Sequence, residues 1–118
     1  MNNDRYRWTE KKTHTEHLEH LLHRPKILGI NDPVQWSAKE MLIYKPTYPE
    51  LATDIDLIYA TNKDIWVAEY KISPGHIKDA KRQLDIARDF VKEKLNTTAR
   101  CLYVAGPKYD RFEVGKEI

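Results

Sequence analysis

The sequence predicts a single α/β domain, in which one mixed sheet carries packed helices in the order α-β-β-β-α-β. Three observations lead there. Residues 54–60 (DIDLIYA) and 65–72 (IWVAEYKI) are short apolar runs separated by the turn-forming segment TNKD, the pattern of a β-hairpin. Residues 76–95 place Ile77, Ala80, Leu84, Ala87, Val91 and Leu95 three or four apart, which is one face of a long helix. Residues 100–105 (RCLYVA) then read as a buried strand. Strands and helices alternating in this way solve their burial by layering helices on a sheet.

The remaining elements follow in order. Residues 1–12 are polar and read as an N-terminal arm, with the folded domain spanning 13–118. A first helix is expected over 14–23, because Thr13 and Glu16 have capping-box spacing and Leu18, Leu21 and Leu22 form its apolar stripe. Pro25 and Gly29 close it, and residues 31–38 (NDPVQWSA) read as a loop. Residues 39–45 (KEMLIYK) form a first strand, interrupted by Pro46 and Pro49. Ser73-Pro74-Gly75 breaks the chain before the long helix, Asn96 is a plausible stop for it, and Gly106-Pro107 ends the last strand.

Composition narrows the class. With 118 residues, 41% of them hydrophobic, the chain is long enough for one core and too apolar for a disordered tail. Its net charge of +2 permits a nucleic-acid partner without requiring one. The one cysteine, Cys101, lies in the apolar run CLYVA, reads as a buried strand thiol and excludes an intrachain disulfide framework. The polar start is not a signal peptide, and no apolar run is long enough to span a membrane, so a cytoplasmic protein is expected.

The chemistry concentrates in TDIDLIYATNKDIWVAEYK, residues 53–71. Strand interiors disfavour Asp, and to a lesser degree Glu and Lys, yet Asp56, Glu69 and Lys71 all sit on predicted strands. Side chains alternate along a strand, so Glu69 and Lys71 share a face with Ile65 and Val67, apolar at its start and ionic at its end. A turn centred on Asn62-Lys63 sets Ile58 opposite Val67 and Asp56 opposite Glu69. Directly opposed residues have Cβ atoms about 4.5–5.5 Å apart, where two carboxylates repel unless a positive charge lies between them. A divalent cation meets that need, and oxygen ligands suit Mg²⁺, with Mn²⁺ as a substitute. Such a cation binds a phosphate and activates water, and the nearby Lys71 ammonium can orient that water and stabilise developing charge. Asp54 would face Lys71 on the same side.

Asp56 followed by Glu69-Tyr70-Lys71 on the next strand resembles the PD-(D/E)xK nuclease superfamily, over about residues 14–105. The element order resembles its restriction-endonuclease-like core, in chains about the size of small archaeal Holliday-junction resolvases. The segment TEHLEHLLHRPKILGI is similar to the first helix of archaeal single-strand and mismatch endonucleases of the superfamily. One departure is Ile55, where the namesake motif has proline. The resemblance implies Mg²⁺-dependent hydrolysis of DNA phosphodiesters in duplex, branched or single-stranded substrates. It assigns Asp56, Glu69 and the Tyr70 backbone carbonyl to the metal, and Lys71 to catalysis. It further implies a first-helix glutamate. Of the two there, Glu16 points away from the leucine stripe and caps the helix, so Glu19, on the flank, is preferred. Gln83 corresponds to a glutamine that helps orient the lysine or the water, a solvent-facing residue being the alternative.

Other features admit two readings each. Lys78, Lys81 and Arg82 suit backbone phosphates or form a solvated helix surface. Arg5, Arg7 and Trp8, with Lys11 and Lys12, form either a nucleic-acid arm or a loose terminus. Ile86 and Phe90 mark a homodimer surface or a wider core face. His14, His17, His20 and His23 recur every third residue. Each step drifts about 60° around the helix, so a solvated face is expected rather than a zinc site. Two rival functions stay in view: a non-catalytic nucleic-acid-binding module of the same fold, and an interaction protein whose Asp54, Asp56, Glu69 and Lys71 form a surface ion network.

Overall fold

A computed structural model describes residues 13–44 and 51–115. The arm residues Arg5, Arg7, Trp8, Lys11 and Lys12, and the interrupting prolines Pro46 and Pro49, lie outside the described residues. The elements are α1 (His14–Leu22), β1 (Val34–Tyr44), β2 (Leu51–Thr61), β3 (Ile65–Lys71), α2 (Ile77–Leu95), β4 (Arg100–Ala105) and β5 (Asp110–Val114), with 3₁₀ turns at Pro25–Leu28 and Pro74–His76.

The strands form one sheet in the order β1-β2-β3-β4-β5. Among the described residues only β3 and β4 run parallel, and α2 is the crossover that a parallel pair requires. The β2–β3 hairpin has the expected register, Ile58 opposite Val67 and Leu57 opposite Ala68. Its turn is held by Thr61, whose amide donates to the Asp64 carbonyl and whose hydroxyl accepts from the amides of Lys63 and Asp64.

Alternation along β3 divides the core into two layers. Trp66, Ala68 and Tyr70 join Leu18 and Leu21 of α1, and Val67 joins Ala80, Leu84, Ala87 and Val91 of α2. Fully burying a leucine stabilises by roughly 1.5–3 kcal/mol, so Leu18 and Leu21, with no exposed surface, anchor α1. The capping box forms as expected: the Glu16 amide donates to Thr13 Oγ1 and the Thr13 amide to Glu16 Oε1, worth about 1 kcal/mol. Asn96 ends α2 in the left-handed region with φ 55°, its amide donating to the Lys92 carbonyl.

Three expectations need correction. β1 begins at Val34, inside the segment read as a loop. It is an edge strand paired only with β2, where Gln35 and Ser37 are tolerated and a register shift between Val34 and Trp36 absorbs the irregular start. β5 was not expected, because DRFEV is polar and mostly exposed at the other edge. The histidines of α1 do not form one solvated face: His17 and His20 are buried. Tyr109, in the β4–β5 turn, covers them, its hydroxyl 2.7 Å from His17 Nδ1 and its ring stacked on His20.

Candidate active site at the parting of β2 and β3

The hairpin ladder between β2 and β3 stops at Leu57 and Ala68, while β3 continues beside β4 as far as Lys71. Asp56 and Glu69 occupy the first positions past that last pair. An amide released from a ladder must find another acceptor when buried. Here the Tyr70 amide donates to Asp56 Oδ2 at 2.8 Å. The carboxylate therefore takes the place of a strand carbonyl, which explains how an aspartate with 2% exposure persists inside β2.

Glu69 is 3% exposed, and its carboxyl feels the charge of Asp56 across the parting strands. Its carboxyl is pushed up to about 9, chiefly by burial and next by the charge of Asp56. Asp54 adds to the rise and Lys71 opposes it, with Lys71 Nζ 3.6 Å from Glu69 Oε2. Asp56, Glu69 and Lys71 thus converge on one spot, with Asp54 within electrostatic reach.

The other sequence-derived residues are distributed differently. Glu19 is turned away from Asp56: its Oε2 meets His23 Nε2 at 2.8 Å and its Oε1 meets Lys39 Nζ at 3.6 Å. His23, then Lys39, hold its exposed carboxylate below the usual range. Glu16 remains in the capping box. Gln83 is partly buried on α2, and its Oε1 is buried without a hydrogen-bond partner among the described residues. Lys78, Lys81 and Arg82 are exposed on the first half of α2. Phe90 packs on the α2-side core and so widens the core face, while Ile86 is partly buried.

Two residues join the site that sequence reasoning did not place there. His14 Nε2 lies 3.2 Å from Asp56 Oδ2, and this contact raises the imidazole above its ordinary value, outweighing its partial burial, which lowers it. Glu40 of β1 lies between Lys39 and Met41, whose partners are Leu57 and Ile55, which sets it across from Asp56. It has φ 55°, accepts from Thr15 Oγ1 at 3.0 Å and from Lys39 Nζ at 3.3 Å, and its carboxylate is held low by these bonds. Neither residue carries a spacing signal, since α1 and β1 are distant in sequence from the Asp56–Lys71 segment.

Among the described residues no three His, Cys, Asp or Glu side chains gather as a ready-made metal cage. The donor chemistry at Asp56 and Glu69 nevertheless fits a small oxygen-preferring cation, because two buried carboxylates lie within electrostatic reach of each other and the Lys71 ammonium offsets their charge only in part. Magnesium commonly uses one or two carboxylates and completes its shell with water, and the Tyr70 backbone adjoins the pair.

No protein-family profile matches this chain, and no curated protein matches it. Among solved structures it is similar to the EndoMS–dsDNA2 complex, with a TM-score of 0.52 at 14% identity. The match covers 88% of this chain and 40% of the other, so the chain spans well under half of that protein's length. The likeness extends to the fold: a mixed five-stranded α/β sheet with two helices, compatible with a restriction-endonuclease-like core. Among the described residues no helix is long and apolar enough to cross a membrane.

Proposed function

We propose that this chain is an endodeoxyribonuclease that hydrolyses phosphodiester bonds with a divalent cation, Mg²⁺ or Mn²⁺, held at Asp56 and Glu69. The observation that carries the reading is the convergence of two buried carboxylates with Lys71 where β2 and β3 part. A surface ion network, the structural rival, would leave its carboxylates solvated, whereas Asp56 and Glu69 are buried. Similarity of the fold to a protein solved with double-stranded DNA supports DNA as the substrate class.

When bound, the cation supplies Lewis-acid charge to the phosphate. Asp56 and Glu69 hold it, with the Tyr70 carbonyl as a further oxygen donor. The Tyr70 amide fixes Asp56 through one oxygen and leaves the other available. Lys71 partly opposes the rise of the Glu69 carboxyl and so eases its ionisation when the cation binds, orients the attacking water and donates to the charge that develops on the phosphate oxygens. Lys78, Lys81 and Arg82 contact flanking phosphates. Gln83 lends its buried oxygen to orienting Lys71 or the water. Two copies of the chain would present two such sites to a duplex.

The test is cleavage of labelled duplex, branched, flap and single-stranded DNA with and without Mg²⁺, with Glu69→Gln as control. The reading expects cleavage of at least one substrate, dependent on both the cation and Glu69. Tight DNA binding without cleavage under any divalent cation would instead establish the non-catalytic binding module.

A further inference from the structure

We propose that His14 is a positioning residue for the cation site: its imidazole holds the Asp56 carboxylate in the orientation that directs the other oxygen toward Glu69. The inference rests on the proposed cation site and identifies the part of α1 that serves it. His14 Nε2 and the Tyr70 amide both act on the same atom, Asp56 Oδ2, at 3.2 and 2.8 Å. A carboxylate held through one oxygen by two donors from different elements cannot turn freely, and its second oxygen is engaged by neither of them. His14 also lies beside Tyr70, their ring centroids 5.8 Å apart.

The placement of His14 argues against an incidental contact. It is the first residue of α1, where the helix dipole disfavours a cationic side chain. The acids around it offset that cost: Asp56 directly, and Glu40 through its charge. Glu40 is itself fixed by Thr15 of α1 and Lys39 of β1, and holds φ 55°, a conformation uncommon for glutamate. Backbone strain of this kind concentrates at functional sites. Two side-chain bonds, Thr15 to Glu40 and His14 to Asp56, therefore tie the start of α1 to β1 and β2. His14 remains 48% exposed on its side chain, so it contributes little to the core, and its replacement should leave the fold intact.

The experiment uses the full chain as wild type, His14→Ala and His14→Gln, in two arms. The metal-free arm records the Tyr70 amide proton by NMR, because its shift and exchange rate report on Asp56. His14→Ala is expected to move the resonance and speed its exchange, and His14→Gln, which keeps a donor, to restore most of the wild-type signal. The second arm measures Mn²⁺ binding by calorimetry and by pulsed EPR. His14→Ala is expected to weaken Mn²⁺ by roughly 10–100-fold, the usual effect of losing a residue that orients a ligand, with recovery in His14→Gln and no directly bound ¹⁴N signal in wild type. An unchanged Tyr70 amide in His14→Ala, or unchanged Mn²⁺ affinity, overturns the positioning role. A ¹⁴N coupling of direct ligation also overturns it, by making His14 a ligand. If wild type binds no Mn²⁺ while the Tyr70 amide still responds to His14, the cation reading fails, and with it any role of His14 toward a cation.

Discussion

Tyr70 donates its backbone amide to the side chain of Asp56, where a strand carbonyl would ordinarily receive it. This bond gives Asp56 a structural role beside the one proposed for it at the cation site. Asp56→Ala should leave a buried amide unpaired, at a cost of about 1–3 kcal/mol, partly offset because Glu69 loses its repelling neighbour. Asp56→Asn keeps an oxygen acceptor and should be clearly more stable than Asp56→Ala in urea unfolding. Equal midpoints for the two would show that the Tyr70 amide is satisfied elsewhere.

Glu69 makes the metal-free protein more stable in acid than in base. Its folded value of about 9 lies above the ordinary 4.5. Between those values the folded state binds more protons than the unfolded state, so stability falls as pH rises. His14 acts in the same direction: its raised value gives stability that is present at low pH and lost as pH climbs through it. The melting temperature without metal should decline from pH 5 to pH 8.5, and Glu69→Gln should flatten the decline. Mn²⁺ should stabilise more at pH 8 than at pH 6, because it must displace the Glu69 proton.

Lys71→Met removes the ammonium beside Glu69 without removing a proposed ligand. Single-turnover cleavage should fall about 10²–10³-fold, the usual effect of removing one donor to developing charge. DNA affinity measured in Ca²⁺ should stay near wild type. Loss of binding in step with cleavage would move Lys71 from catalysis to DNA contact.

The exposed cations of α2 are tested by salt. Each of Lys81→Ala and Arg82→Ala should weaken DNA binding across all sequences and reduce the slope of log affinity against log salt by about 1. Unchanged slopes would return these residues to an ordinary solvated helix surface.

Cys101 should be inert in the native protein. It is buried on β4, and burial pushes its thiol up to about 11. A colourimetric thiol reagent should label it only at the rate of unfolding. Rapid labelling in native buffer would show that β4 opens locally.

What could be read from the sequence was carried by local patterns. TNKD set the hairpin register as far as Leu57 opposite Ala68, which leaves Asp56 and Glu69 in the first positions past the ladder. The leucines of α1 and the alanine–leucine stripe of α2 marked the two core layers. Edge strands were less legible, since β5 and the start of β1 pair on one side only and can be polar. Least legible were contacts between distant segments. His17 and His20 are buried because Tyr109, from a turn far along the chain, lies over them. The first-helix acid was sought by helical geometry, yet Glu19 is engaged by His23 and Lys39, and α1 reaches Asp56 through His14. Helical angles locate a side chain on its own helix and say little about which strand lies beneath.

Calorimetric titration of Mn²⁺ into the metal-free full chain, repeated on Asp56→Asn and Glu69→Gln, addresses the pairing of these two acids most directly. Saturable binding in the wild type, abolished or weakened at least tenfold in both variants, is the predicted result. No binding in the wild type, or binding indifferent to both substitutions, would contradict the account.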